Sequence, residues 1–220
     1  MLVKERMTPN PICGYPDMPV TEAQSLMREK GIRHLPIVEN DNLVGLVTQR
    51  SLLKALPSDV SNFSRFEISY TLAKIKVHTV MNKEVITIDE DTPIEEASRV
   101  MADERIGCLP VMRNGNLVGI ITDNDLFNIM VSLLGSHIPG VRVSVLQPDR
   151  VGEIARLTNA IAKEGGYLSV CVGYYPDSPP DSWVSVCKVK NMEPEQLEKV
   201  IHDLGETKIR DLRVIKEGDQ

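Results

Sequence analysis

With 220 residues, 42% of them hydrophobic and 25% charged, the chain has the make-up of an ordinary globular protein with room for one or two domains. A net charge of −6 argues against general nucleic-acid binding, and no apolar run approaches the length of a membrane span, the longest candidate being "LFNIMVSLLG". The opening "MLVKERMTPNP" has no apolar signal region and Cys13, Cys108, Cys171 and Cys187 show no CxxC spacing, so a cytoplasmic protein is expected, with its cysteines as small buried hydrophobes and no metal site.

The first elements come as a pair. Residues 7–53 align with residues 81–127 at an offset of 74 without a gap. Met7 matches Met81, Ile12 matches Ile86, Pro19 matches Pro93, and Ile32 matches Ile106. Leu43-Val44-Gly45 matches Leu117-Val118-Gly119, and Thr48 matches Thr122. Each copy predicts a short strand, as at "VITI", then a helix with Ile94, Ala97, Val100 and Met101 on one face. An apolar strand "IGCLPVM", a polar turn "RNGN" and the strand "LVGII" follow, and "TDND" opens a second helix from Leu126 to about Leu134. The order is β-α-β-β-α, too small a unit to stand comfortably alone, so two copies are expected to pack on each other and leave clefts at their seam. Met7 and Met81, which open the copies, are expected to fill packing gaps.

Within "TDND", Thr122 and Asp125 have the spacing of a capping box, whose side chains satisfy free backbone amides at a helix start. The same carboxylate can also face a ligand, and the two roles are compatible. Copy 1 carries Ser51 at the matching position, which serves a helix but cannot accept from both hydroxyls of a ribose. The stretch "GIRHLP" puts Arg33 and His34 before the strand of copy 1, where copy 2 has Gly107 and Cys108. A guanidinium suits phosphate oxygens; the alternative is a solvated arginine beside a half-buried histidine.

The doubled pattern "LPVM…GNLVGIITDNDL" resembles a pair of cystathionine-β-synthase (CBS) domains, or Bateman module, over residues 1 to about 134. The resemblance implies an adenine nucleotide (AMP, ADP, ATP or S-adenosylmethionine) as a regulatory ligand and no catalytic residues. It puts Asp125 on the ribose hydroxyls, Thr122 beside them, Arg33 and His34 toward phosphate, and Ile86 and Ile106 on the nucleotide. Since one copy supplies the acid and the other the cation, one good site per chain is expected.

Between the copies, residues 57–79 read as a linker with a polar stretch and a short helix at "ISYTLAKIKV". Its Phe63 and Phe66 are candidates for core or dimer packing, or for ring platforms near a cleft. After "GSHIPG", "VRVSVL" alternates with Val141, Val143 and Val145 on one face. A helix with Ile154, Leu157 and Ile161 at helical spacing follows, then the strands "LSVCVGYY" and "WVSVCKVK" around a Pro-rich loop. A helix begun by Pro194 and ended by Gly205 leads to the strand "IRDLRVI". This β-α-β-β-α-β order is the ferredoxin-like split unit.

With "PDRVGEIARLTNAIAKEGG" at its front, that segment resembles an ACT domain, which implies an amino acid bound near Asp149, Val151 and Gly152. Val151 stands where proline is common in the family. Physically, Gly152 would let a ligand approach backbone, and helix-start amides can hold a carboxylate; an ordinary strand-to-helix turn is the alternative. The expected fold is therefore α+β, with CBS domains at 1–56 and 80–135 and an ACT domain at 139–216. The combination resembles the acetoin-utilisation, AcuB-type CBS–ACT proteins, which implies allosteric control of a partner. Its rivals are a structural oligomerisation adaptor and an enzyme, but GxSxG, Walker, GxGxxG and HExxH patterns are missing. Sheet edges of this kind pair readily, so a homodimer is expected. Light scattering should then give a mass above the 24.5 kDa of one chain, and only the single-chain mass across micromolar concentrations would contradict it.

Overall fold

The computed structural model describes residues 1–54 and 74–216, which fall into two compact units, residues 1–127 and 128–220. The linker's Phe63 and Phe66, and most of its expected helix, lie outside the described residues. Unit 1 holds both copies of the repeat. Copy 1 runs through β1 (Thr8–Pro9), α1 (Val20–Glu29), β2 (His34–Glu39), β3 (Asn42–Thr48) and α2 (Gln49–Lys54). Copy 2 runs through β4 (Ile88–Asp89), α3 (Ile94–Glu104), β5 (Cys108–Arg113), β6 (Asn116–Thr122) and α4 (Asp123–Leu133), the last continuing into the second unit.

Local chemistry explains these elements. α1 and α3 both start after a proline in extended conformation, Pro19 and Pro93. Each buries its apolar stripe, Val20, Ala23 and Met27 in one and Ile94, Ala97 and Met101 in the other. The hairpins turn on Asn40-Asp41 and Asn114-Gly115, all four at positive φ, as a two-residue primed turn requires. The strand expected over "VITI" shortens to Ile88–Asp89, paired in parallel with β5, and its copy 1 counterpart is reduced to a single bridge between Gly14 and Ile37.

The two copies are joined by exchange. The first residues of copy 1 lie on copy 2: Met1 O accepts from Ile94 N, Val3 N donates to Thr92 O, and β1 pairs antiparallel with β6. The residues that open copy 2 make the same bonds to copy 1. Ile75 O accepts from Val20 N, Val77 N donates to Met18 O, and Asn82 bridges to Leu46 of β3. Val77 is fully buried among Met18, Val20, Met27, Leu35 and Leu52, so the core of copy 1 is completed by chain that belongs to copy 2.

At each exchange point a methionine lies over a glycine. A Cβ on Gly119 would collide with the Met7 side chain and come within 3.2 Å of Thr8 O, and one on Gly45 would do the same to Met81 and Asn82 O. The expectation that these methionines fill packing gaps is met at those two points.

Unit 2 contains β7 (Gly140–Pro148), α5 (Glu153–Lys163), β8 (Tyr167–Tyr174), β9 (Ser182–Lys190), α6 (Pro194–His202) and β10 (Lys208–Ile215). The strands form one antiparallel sheet in the order β10-β7-β9-β8. Val141, Val143 and Val145 are buried with Leu157 and Ile161 of α5 and Leu197, Val200 and Ile201 of α6. Ile154 departs from the expected buried stripe and is 47% exposed, because it occupies the first turn, beyond the edge of that core. Among the described residues, no helix is long and apolar enough to cross a membrane.

Replacing Gly119 by Ala should destabilise unit 1 by about 1–3 kcal/mol, the usual cost of overpacking. Part of that loss should be relieved in a Met7→Ala background, where the added methyl has room. Urea unfolding of the two single variants and the double variant measures the coupling, and strict additivity would contradict the interlock.

Candidate functional site

The ends of β3 and β6 are built alike. Thr48 precedes α2 and Thr122 precedes α4, each at an N-cap position. Asp125 Oδ2 accepts from Thr122 N at 2.8 Å and from Thr122 Oγ1 at 2.7 Å, while Asp125 N points back to Thr122 Oγ1 at 3.4 Å. In copy 1, Ser51 Oγ accepts from Thr48 N and Thr48 Oγ1 accepts from Ser51 N, both at 3.1 Å. Both are capping boxes, so the serine keeps the local structural role without the charge. Asp125 is half-buried and retains a second carboxylate oxygen, which leaves the cap compatible with a ligand contact.

The open space lies at the Ser51 cleft. A cavity of about 340 Å³ is walled by His34, Thr48, Arg50 and Ser51 from copy 1 and by Glu84, Ile86, Arg105 and Ile106 from copy 2. That volume is at the small end of the range for small-molecule pockets. Of the six residues expected on the nucleotide, His34, Ile86 and Ile106 come together here. Thr122, Asp125 and Arg33 stand outside its wall, at the pseudo-symmetric end of the unit.

Arg33 does cross between copies, but its Nη2 donates to Asp123 Oδ1 at 2.9 Å. Gly107 makes room for that carboxylate, since a Cβ there would sit 3.2 Å from Asp123 Oδ2. Both partners are nearly half exposed, so the pair is weak and open to competition by a stronger anion. His34 is half-buried, and desolvation, helped by Arg33, pulls its pKa below the usual imidazole value against the pull of Asp123. Burial pushes the Cys108 thiol up to about 12, with Asp123 adding to the effect, so this cysteine is inert at neutral pH.

Two arginines that the sequence reading passed over carry the cavity's positive charge. Neither Arg50 nor Arg105 forms an ion pair among the described residues, and Glu84 is the one acid in the wall. Arg105 has φ +54, at the position where copy 1 has Gly31 at φ +65. The other non-glycine residues at positive φ are Asn or Asp, which tolerate it; an arginine there costs on the order of 1 kcal/mol. A signal for it existed in the alignment, a glycine matched to an arginine just past a helix end.

In unit 2, Asp149 lines a smaller cavity of about 160 Å³ with Gln147, Arg150, Glu153, Tyr175 and Trp183. Val151 is fully exposed and outside its wall, and Gly152, at φ +93, occupies the N-cap of α5 with open space around it. Gln147 and Trp183 are lining residues that the sequence reading did not single out. No group of three or more His, Cys, Asp or Glu side chains suited to a metal ion occurs among the described residues.

Unit 1 is thus a pair of interlocked repeats with equivalent helix caps and a cleft at their seam. The CBS domain model matches residues 3–58 and 77–132, and the chain belongs to the CBS domain family. A CBS domain-containing protein of Dictyostelium discoideum is 32% identical over 139 residues, which cover 61% of this chain and 94% of that protein. Homoserine O-acetyltransferase of Methanococcus vannielii is 33% identical over 129 residues, but these are 58% of this chain and only 24% of the enzyme. Among solved structures, a Vibrio cholerae protein assigned as AcuB, of acetoin utilization, is 34% identical with a TM-score of 0.52, covering 61% of this chain and 93% of that one. The CBS domain pair of protein MJ0100, in complex with 5′-methylthioadenosine and S-adenosyl-L-methionine, is 28% identical with a TM-score of 0.52 and covers 60% of this chain and 97% of that one.

Because Asp125 and Ser51 complete the capping boxes begun by Thr122 and Thr48, replacing either by Ala should cost about 0.5–1.5 kcal/mol of stability, the usual net worth of a hydrogen bond. Thermal or urea unfolding checks this, and an unchanged midpoint in both variants would contradict the caps.

Proposed function

We propose that unit 1 is the receptor of a non-catalytic regulator and takes an adenosine-containing ligand at the seam of the repeats. The observation that carries this reading is the 340 Å³ cavity walled by both copies. A ligand there touches two modules at once, so its binding free energy can bias their relative arrangement. The adenosine ligands of the MJ0100 pair support the ligand class.

The charges suggest how the two ends divide the work. Arg50 and Arg105 favour phosphate at the Ser51 cleft, with Ile86 and Ile106 beside an apolar ring. At the other end, Thr122 and Asp125 offer a carboxylate for ribose hydroxyls, while Arg33 is tied to Asp123 until an anion draws it away.

We further propose that the C-terminal unit is an ACT-type module, and that its 160 Å³ cavity beside Asp149 and the Gly152 turn takes an amino acid. Likeness to the Vibrio cholerae protein supports a role in acetoin or central carbon metabolism, and dimerisation and control of a partner protein belong to the same proposal.

Calorimetry with ATP, AMP, adenosine and S-adenosylmethionine tests the nucleotide reading. Arg105→Gly should weaken ATP binding about ten- to a hundred-fold, the loss of about 1.5–3 kcal/mol for a charged hydrogen bond, and leave adenosine little changed. The same variant should unfold no more easily than the wild type, because glycine suits the left-handed backbone. Asp125→Ala, at the other end of the unit, should leave the affinity at the Ser51 cleft unchanged and remove only any second adenosine site held by Thr122 and Asp125. Absence of binding by every adenosine ligand would end the reading, and equal ATP affinity in wild type and Arg105→Gly would remove the arginine from it.

A further inference from the structure

Cys171 of β8 and Cys187 of β9 stand directly opposite each other across the strand pair. Their Sγ atoms are 3.7 Å apart, and both are free thiols. β8 is an edge strand, and Cys171 is exposed there, while Cys187 is completely buried in the core beneath α5 and α6. Directly opposed residues of an antiparallel pair have Cα atoms about 4.5–5.5 Å apart, inside the span of about 4.4–6.8 Å that disulfides use. Closing the sulfurs to a bonded distance therefore asks for side-chain rotation and no movement of the strands. This geometry contradicts the expectation that all four cysteines act as small buried hydrophobes, since only Cys108 and Cys187 are buried.

The pair is asymmetric in a useful way. The Cys187 S–H donates to Cys171 Sγ, which favours the thiolate there and draws the Cys171 pKa down to about 7 against some desolvation. The same bond and burial hold the Cys187 thiol well above its ordinary value. The exposed sulfur is the attacking one and the buried sulfur is held in reserve. The other cysteines are poor competitors: Cys108 is buried, and Cys13 donates to Pro11 O and is pushed up by burial.

We propose that Cys171 and Cys187 form a dithiol site that a low-molecular-weight disulfide oxidises to a cross-strand disulfide. The Cys171 thiolate attacks one sulfur of the small disulfide, forming a mixed disulfide and expelling one small thiolate, which takes a proton from water. The Cys187 sulfur then attacks Cys171 Sγ and breaks the mixed disulfide. Its proton leaves with the second small thiol. The protein dithiol loses two electrons and two hydrogens, and the small disulfide is reduced to two thiols.

The test uses the full chain with oxidised glutathione near neutral pH, followed by alkylation of remaining thiols and peptide mass mapping. The wild type should lose two hydrogens and give a crosslinked peptide joining Cys171 to Cys187, with Cys13 and Cys108 alkylated. Cys187→Ala, and Cys187→Ser as a second variant, should instead accumulate the glutathione adduct on Cys171. Cys171→Ser should leave Cys187 reduced. Circular dichroism checks that each variant is folded. The proposal is overturned if the wild type keeps a stable glutathione adduct on Cys171 without closing, if Cys13 or Cys108 is oxidised first, or if all four thiols stay reduced.

Discussion

The thioethers of Met7 and Met81 lie against backbone that carries no side chain, at Gly119 and Gly45, and the arrangement of unit 1 depends on that contact. Only glycine lets the neighbouring segment come close enough for its backbone to pair with β6 or β3. Because the approach is reciprocal, neither repeat has a complete core without the other, as the burial of Val77 inside copy 1 shows. The contact also builds the cleft. Once Met81 and Asn82 are fixed on β3, the chain that follows must pass Thr48 and Ser51, and so Glu84, Val85 and Ile86 become cavity wall.

Repeats that share a pattern of apolar and turn residues make that unit symmetric in backbone and asymmetric in charge. The capping boxes at Thr48–Ser51 and Thr122–Asp125 show the local geometry surviving the exchange of a carboxylate for a hydroxyl. With the fold held by equivalent bonds, the differing side chains are free to set the character of each cleft. Arg33 is matched by Asp123, so one end is close to neutralised, while Arg50 and Arg105 leave the other end with spare positive charge. The left-handed arginine at position 105 sharpens the contrast, because glycine would relieve the backbone there.

Unit 2 solves its packing by a different route, with one sheet face covered by α5 and α6 and the valines of β7 beneath them. The edge position of β8 brings Cys171 to the surface while its cross-strand partner stays in the core. A chain can thus hold two strand cysteines that each follow a valine, Cys171 after Val170 and Cys187 after Val186, in opposite chemical environments. Position in the sheet, rather than the residue or its neighbours, creates the difference.

The order of elements in both units, the hairpin turns and the helix stripes were legible in the sequence, because they follow from periodicity and from Asn, Gly and Pro at fixed places within a few residues. The helix caps at Thr122 and Asp125 were legible for the same reason. What tertiary structure decided were relations between distant residues. Ile86 and Ile106 share a cavity with Ser51 rather than with Asp125, because each repeat's opening segment lies on the other repeat. Arg33 meets Asp123, ninety positions away, and Cys171 meets Cys187 only when β8 takes the edge beside β9. Ile154 falls outside the core although its spacing fits the stripe, because it sits in the first turn of α5, outside the buried cluster. Local propensity fixes what each segment becomes, but electrostatic partners and cavity walls come from chain segments brought together by packing, and no short window of sequence contains both sides of such a contact.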